Sequence, residues 1–388
     1  MRPPMTSLSP MAPSQARHRS RGRALRGAAM LALSTALAAM SPACGSRKVD
    51  PTVLRVGYFP SVTHVVALSA IGRRSFEAAL SPIGARVEWK AFSAGPEAME
   101  ALFAGALDVC YVGPGPAEIA FLRSRGEALS IVAGASSGGA ALVVRGADPT
   151  RGKKSIESAA DLRGTTLATP QLGNTQDVAL RSWLLDRGMR TTEQGGEVRV
   201  MPLASSSVPA LMKRGDVDGA WVPEPWVTIL IAKAGAHLLV DERTLWPGER
   251  FPTVVLVAAR PAIEKKRELV ARFVAAHVAE VAWVVSHRDE ARALAGAHIK
   301  EATGKALPDE ILKPALAAIE PTLDPMEPAL ATMAEHARRL GYLPPGSIEK
   351  LVDRSFLDAA ARTGQSVPAA VPVPVPVPAS HVDAGATR

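Results

Sequence analysis

The sequence predicts an α/β protein of two lobes with a crevice between them. Three observations predict it. Short apolar runs alternate with segments of helical period from about residue 52 onward, the pattern of parallel strands covered by helices. The chain has 388 residues, which at roughly 100–200 residues per domain gives two units. Two apolar runs of the same kind, Ala140–Val144 and Thr253–Ala259, bracket a second strand–helix block and read as paired crossings between lobes.

The elements follow in order. Val53–Tyr58 is a first strand, Val65–Phe76 a helix, Ala85–Lys90 a second strand, and Pro96–Phe103 a helix closed by Gly105. Leu107–Val112 is an apolar strand holding Cys110, followed by a helix over about Ala117–Arg125 and strands at Leu129–Ala133 and Ala140–Val144. The second block opens near Gly146. It carries helices at Ser158–Leu162, Thr175–Asp186 and Val208–Lys213, and strands at Thr165–Thr169, Glu197–Met201 and Gly219–Val222. After the Thr253–Ala259 strand comes a long helix over 262–287, with Leu269, Val270, Phe273, Val274, Val278, Val281 and Val285 at helical spacing. Further helices are expected at about 289–303, 308–319, 326–340 and 347–362. The expected lobes are 52–142 with 253–366, and 143–252. Residues 367–388, where Val and Pro alternate to Pro378, are expected to stay outside the fold as polyproline II or disordered chain.

The charge is unevenly placed. The net charge is +8, but residues 1–43 hold six arginines and no acid, so removing them from +8 leaves +2 on residues 44–388. A phosphate-binding footprint is therefore not expected, nor, with aromatics at 4%, a base-stacking surface; no nucleic-acid partner is expected. The basic run Arg17–Arg26, then twenty uncharged residues from Gly27 to Ser46, reads as an export signal over 1–43. A transmembrane anchor is the alternative, though the run is Ala-rich and weakly hydrophobic. Ala43 stands directly before Cys44, similar to a bacterial lipobox with Ser41 where Leu is usual. That resemblance makes Cys44 the lipidated first residue, with 44–51 a linker; plain cleavage near Ala38 or Ala43 is the alternative. Cys110 reads as core packing, no disulfide is expected, and the eight scattered histidines give no metal spacing.

Five strand-to-helix turns are rich in small or capping residues: Ser61–His64, Gly113–Pro116, Leu172–Gln176, Ser205–Ser207 and Pro223–Trp226. In an open parallel sheet such turns border the ligand crevice, and helix starts offer free N–H groups to an oxyanion. Each turn taken alone is equally an ordinary N-cap.

Several long stretches carry a resemblance in register. They are Gly57–His64, Ala94–Ala98, Glu100–Gly105, Asp108–Pro116, Thr169–Arg181 and Asp218–Trp226. Together they resemble the substrate-binding lipoproteins of aliphatic-sulfonate, taurine and nitrate ABC importers, in the same order over about 52–287 and more loosely to 362. The resemblance implies a type II periplasmic-binding fold whose cleft closes on a small anionic or zwitterionic solute. It implies an ABC permease and its ATPase as partners, export to the periplasm or cell surface with a lipid anchor at Cys44, and no cofactor. By the same resemblance Ser61, Thr63 and His64 line one wall beside Gly113, Pro114 and Gly115. Asn174, Thr175 and Gln176 supply donors from the other, and Trp221, Glu224 and Trp226 close it. Relatives often carry a polar residue where Gly115 stands, so this position implies more room or one donor fewer.

Alternatives stand beside these assignments. His64 caps a helix or lines the site, and Trp221 and Trp226 are core residues or touch ligand. Glu224 meets a ligand ammonium or binds a backbone N–H at the hinge. A similar-looking pyrimidine synthase carries a cysteine-rich iron motif that is missing here, and no catalytic dyad suggests itself, so binding is expected rather than catalysis. Nitrate, bicarbonate, a pyrimidine precursor, or presentation to a sensor are the other readings.

Overall fold

The computed structural model describes residues 50–363. The export segment, Cys44, most of the linker and the Val-Pro run lie outside the described residues. The strands are β1 (Val53–Tyr58), β2 (Arg86–Ala91), β3 (Val109–Val112), β4 (Leu129–Gly138), β5 (Ala140–Arg145), β6 (Thr166–Thr169), β7 (Arg199–Pro202), β8 (Gly219–Pro223), β9 (Ala236–Asp241), β10 (Pro252–Ala259) and β11 (Ile319–Pro321). They form two sheets, a six-stranded one of order β11-β4-β10-β3-β1-β2 and a five-stranded one of order β7-β6-β8-β5-β9. The strands buried along their whole length, β3, β4 and β10, read as unbroken apolar or small runs because both faces are covered. The edge strands β2 and β7 are only partly buried.

The sheets are mixed rather than wholly parallel. β1 pairs in parallel with β2 and β3, and β6 with β7 and β8. β10 runs antiparallel to β3 and β4, and β5 runs antiparallel to β8 and β9. The reason is connectivity: β4 passes straight into β5, and β10 returns, so strands arriving from the other sheet run against the βαβ strands. The two apolar strands expected as paired crossings lie in different sheets, β5 in the smaller and β10 in the larger. The crossings themselves are Gly138–Gly139 and the segment 242–251. Gly138 and Gly139 have φ of +76° and +70°, and a Cβ on Gly138 would stand 2.8 Å from the Ala318 carbonyl oxygen, so both positions favour glycine.

Each sheet has its own core. One cluster spans β1, β3, β4, β10 and the C-terminal helices. Two smaller clusters cover the two faces of the five-stranded sheet. The same electrostatic device starts β3 and β8. The Asp108 carboxylate accepts from Arg55 Nε at 2.9 Å, Arg55 Nη2 at 2.8 Å and Lys266 Nζ at 3.0 Å. The Asp218 carboxylate accepts from Arg145 Nε and Lys153 Nζ, each at 2.7 Å, and from the Thr166 N–H at 3.0 Å. Burial alone would raise both carboxyls, but these donors hold both below the usual aspartate range.

Several helix boundaries differ from expectation, each for a visible reason. The helix expected over 262–287 is two, Arg260–Lys265 and Arg267–Ser286. It breaks at Lys266, whose buried ammonium reaches Asp108 and the Val53 carbonyl at 2.7 Å. Val65–Phe76 breaks at Arg74, which is left-handed. The helix expected from Ala117 starts at Pro114, since proline suits a first turn. Residues 347–354 are not helical; Leu351 and Asp353 bond the backbone of Ile131 instead, and the helix is Ser355–Thr363.

Candidate functional site

A cleft of about 540 Å³ opens between the two sheets. Its walls are the segments that follow the carboxyl ends of β1, β2 and β3 on one side and β6, β7 and β8 on the other, where an open α/β sheet places a ligand. Ser61, Thr63, His64 and Gly113 line it from the larger sheet, with Phe59, Phe92, Ser93 and Thr253. Asn174, Thr175, Gln176 and Trp226 line it from the smaller, with Gln171, Ser205 and Ser206. Phe59, Phe92, Gln171 and Thr253 were not singled out in the sequence. Adjacency to the chosen turns could have found two of them, Phe59 two residues before Ser61 and Gln171 three before Asn174; Phe92 and Thr253 lie beside none of these turns.

Four of the twelve expected residues do not line the cleft. Trp221 is fully buried in the smaller core; its indole stands edge-on to Trp183 and donates to Glu242 Oε2 at 2.6 Å. Glu224 is turned into its own helix, Trp226–Ala234, where it accepts the Thr228 N–H at 3.1 Å and the Thr228 hydroxyl at 2.9 Å. Burial raises its carboxyl above the ordinary range. Of the two roles open to Glu224, the backbone-binding one matches this geometry. Pro114 begins the helix Pro114–Arg123 outside the cleft lining, and Gly115 faces a separate chamber.

The two glycines explain how the walls meet. The start of the Thr175–Asp186 helix abuts the start of the Pro114–Arg123 helix, and Thr175 Oγ1 accepts the Gly115 N–H at 3.3 Å. A Cβ on Gly113 would lie 2.7 Å from Thr175 Oγ1, and one on Gly115 would lie 3.3 Å from the Thr175 backbone. The space at Gly115, expected to enlarge the ligand site, is filled by Thr175 from the opposite wall.

The donor inventory follows. Among the described residues no Lys or Arg lines the cleft, and the one carboxylate among them is the exposed Glu97, which accepts the Ser93 N–H at 3.2 Å. His64 is buried, which pushes its imidazole down to about 3 and leaves it neutral at physiological pH; its Nδ1 accepts the Phe59 N–H at 3.4 Å. Several helices begin here, among them Val65–Arg73 and Gly95–Phe103, and two of the others have little to offer an anion. In Pro114–Arg123 two of the first three residues are prolines and the third N–H is taken by Thr175. In Trp226–Ala234 the Glu224 carboxyl takes the Thr228 N–H. In Thr175–Asp186, Asn174 Oδ1 caps the Asp177 N–H at 2.9 Å and the Asp177 carboxylate takes that of Gly173 at 3.0 Å. The Thr175 and Gln176 N–H groups are left unclaimed by these caps. With the Ser, Thr, Asn and Gln side chains, the cleft is a donor-bearing box bordered by the start of the Thr175–Asp186 helix.

Fold and cleft define a two-lobed α/β protein of the periplasmic-binding type. Solved structures place it there. The periplasmic aliphatic sulphonate binding protein SsuA from Escherichia coli superposes with a TM-score of 0.61 at 22% identity, over 79% of this chain and 100% of that one. The nitrate-binding protein NrtA from Synechocystis PCC 6803 gives 0.62 at 14% identity, over 80% and 89%. More particularly, the chain belongs to the NMT1-like family, which matches residues 47–299. Among curated proteins it is similar to the taurine-binding periplasmic protein of Escherichia coli K12, 28% identical over 205 residues, 48% of this chain and 59% of that protein's length. It is also similar to a putative aliphatic sulfonates-binding protein of the same strain, 26% identical over 257 residues, 63% and 71% of the two lengths.

Proposed function

We propose that the protein is the extracytoplasmic solute-binding subunit of an ABC importer. It captures a small sulfonate, simple or amino-bearing, and hands it to a membrane permease without making or breaking a bond. One observation carries this: the cleft offers several neutral hydroxyl and amide donors around the start of the Thr175–Asp186 helix and, among the described residues, no cationic side chain. Such a set suits a weakly basic tetrahedral anion, whose charge is spread over three oxygens and is met by dipoles. Phe59, Phe92 and Trp226 give the organic tail an apolar wall. The names of the curated relatives support the same solute class and export.

The test is a thermal-shift panel of ethanesulfonate, taurine, nitrate, bicarbonate and a pyrimidine. A sulfonate should raise the midpoint by mass action, and Gln176→Ala should reduce that rise. Nitrate or the pyrimidine shifting the midpoint while both sulfonates leave it unchanged would overturn the assignment. Anchoring through Cys44 is part of the proposal; fatty-acid labelling of the expressed protein should vanish in Cys44→Ala.

A further inference from the structure

Behind the contact of Gly115 with Thr175 lies a second, enclosed chamber with room for about one water, some 10 Å³ of free centre space. Gly115, Glu118 and His336 line it from the larger half, Thr175 from the smaller, and Glu242 and Trp246 from the segment 242–251. Its polar groups are unusually bare. Among the described residues neither carboxyl oxygen of Glu118 has a partner, nor does Glu242 Oε1 or Trp246 Nε1, and Glu118 and Glu242 are both fully buried. A lone buried carboxylate is expensive; the same group protonated is far less so.

The charged neighbours do not rescue it. From the helix Glu327–Arg339 only Arg338 acts on Glu118, through space, and His336 is half-buried, which lowers it as a base. From the helix Thr175–Asp186, Asp177 and Arg181 are paired with each other at 3.1 Å. Glu97 and Glu100 on the helix Gly95–Phe103 are exposed, and the strands β4 and β10 beneath carry no ionisable side chain. Around Glu242, Asp241 pairs with Arg243 at 2.7 Å and Trp221 donates at 2.6 Å. Burial raises Glu118 well above the ordinary glutamate range and takes Glu242 to about 7.

We propose that this chamber is a proton-binding site coupled to closure of the cleft. Glu118 takes a proton from solvent as the Gly115–Thr175 contact forms and returns it to water when the contact opens and the chamber wets. Above the pH at which the solute-free protein loses this proton, trapping a solute then draws one in, so affinity there rises as pH falls, by up to about tenfold per pH unit for one proton. This builds on the solute-binding reading, yet its first test needs no solute.

In the solute-free full-length protein, infrared titration should show the carbonyl stretch of a protonated carboxylic acid at about pH 6.5, where ordinary Asp and Glu are ionised. Glu242, held at about 7, contributes to that band as well, so Glu118→Gln should remove only the Glu118 part of it, and loss of that part on raising pH in the wild type should coincide with a larger radius of gyration in X-ray scattering. Glu118→Gln, uncharged at every pH, should keep a constant radius. No such band in the wild type, a band unchanged by the substitution, or a radius that ignores its titration would overturn the proposal. Because these measurements use no ligand, a sulfonate that fails to bind would count against the function above and leave this result standing. Should that variant not fold, Glu242→Gln decides instead, since the band it keeps at about pH 6.5 is that of Glu118 and should still titrate together with the radius.

Discussion

At the scale of single residues, the contact between the two walls rests on the absence of two side chains. The clashes foreseen at Gly113 and Gly115 are of different kinds, and that difference is testable. In Gly113→Ala the new methyl meets the Thr175 hydroxyl, whereas in Gly115→Ala it meets Thr175 backbone. Each substitution should cost about 1–3 kcal/mol, the usual range for overpacking. Adding Thr175→Ala should recover most of the loss in the first case and none in the second. Urea melts of the two single and two double variants measure this; no recovery in the Gly113→Ala pair would show that the walls do not meet through the Thr175 hydroxyl. Sequence could single out these residues by type and spacing. It could not show that Gly115 faces Thr175, because that contact joins positions 60 apart in the chain. Glu224 was ambiguous for a similar reason: a carboxylate at the start of a helix is suited both to a ligand ammonium and to its own helix N–H groups, and only geometry chose Thr228.

At the scale of elements, the interrupted C-terminal helix and the start of β3 are one construction. The backbone at Lys266 leaves helical geometry and its ammonium is delivered to Asp108, which also holds Arg55. Removing one partner from such a buried set leaves a charge without compensation. Asp108→Asn should therefore cost on the order of 3–5 kcal/mol, read as a lower denaturation midpoint. Asp108 sits below its ordinary range when folded, so its contribution is present above that range and is lost as pH falls. The acid limb of the stability profile should be shallower in Asp108→Asn than in the wild type; an identical limb would remove Asp108 from the account. Long apolar periodicity made most strands and helices legible. The misses are elements that tertiary contacts decide. β9 follows directly on Gly235 and is only partly buried, so it shows little alternation. β11 has three residues at the end of a helical pattern and forms because β4 offers an unpaired edge. The matching environments of Asp108 and Asp218, one per sheet, were hidden because their basic partners come from different distances along the chain.

At the scale of the whole molecule, the seam between the halves sets how stability responds to alkali. Glu242 lies in the segment that joins them, and burial raises its carboxyl from 4.5 to about 7. A raised acid favours the folded state while it stays protonated, and that advantage is lost as pH rises from its ordinary value toward the folded one. The loss amounts to on the order of 3 kcal/mol between those limits. Glu242→Gln keeps an oxygen for the Trp221 indole and cannot ionise, so its melting temperature should decline less steeply than that of the wild type over this range, the remaining slope belonging to Glu118. A wild-type midpoint that stays level between pH 5 and about 7 would argue that Glu242 ionises freely in the folded chain.

The route of the chain through the two sheets has one more consequence. β5, where the backbone enters the smaller sheet, and β9, where it leaves, are neighbours with Ala141 opposite Asp241. Residues 140–241 are thus a cassette plugged in through adjacent ends, with hydrophobic interiors of its own. Exchanging that cassette between relatives would replace Asn174, Gln176, Ser205 and Trp226 together while the recipient keeps Ser61, Thr63 and the frame that carries them. New solute preferences could arise by such a graft more readily than by remodelling both banks of the crevice one position at a time.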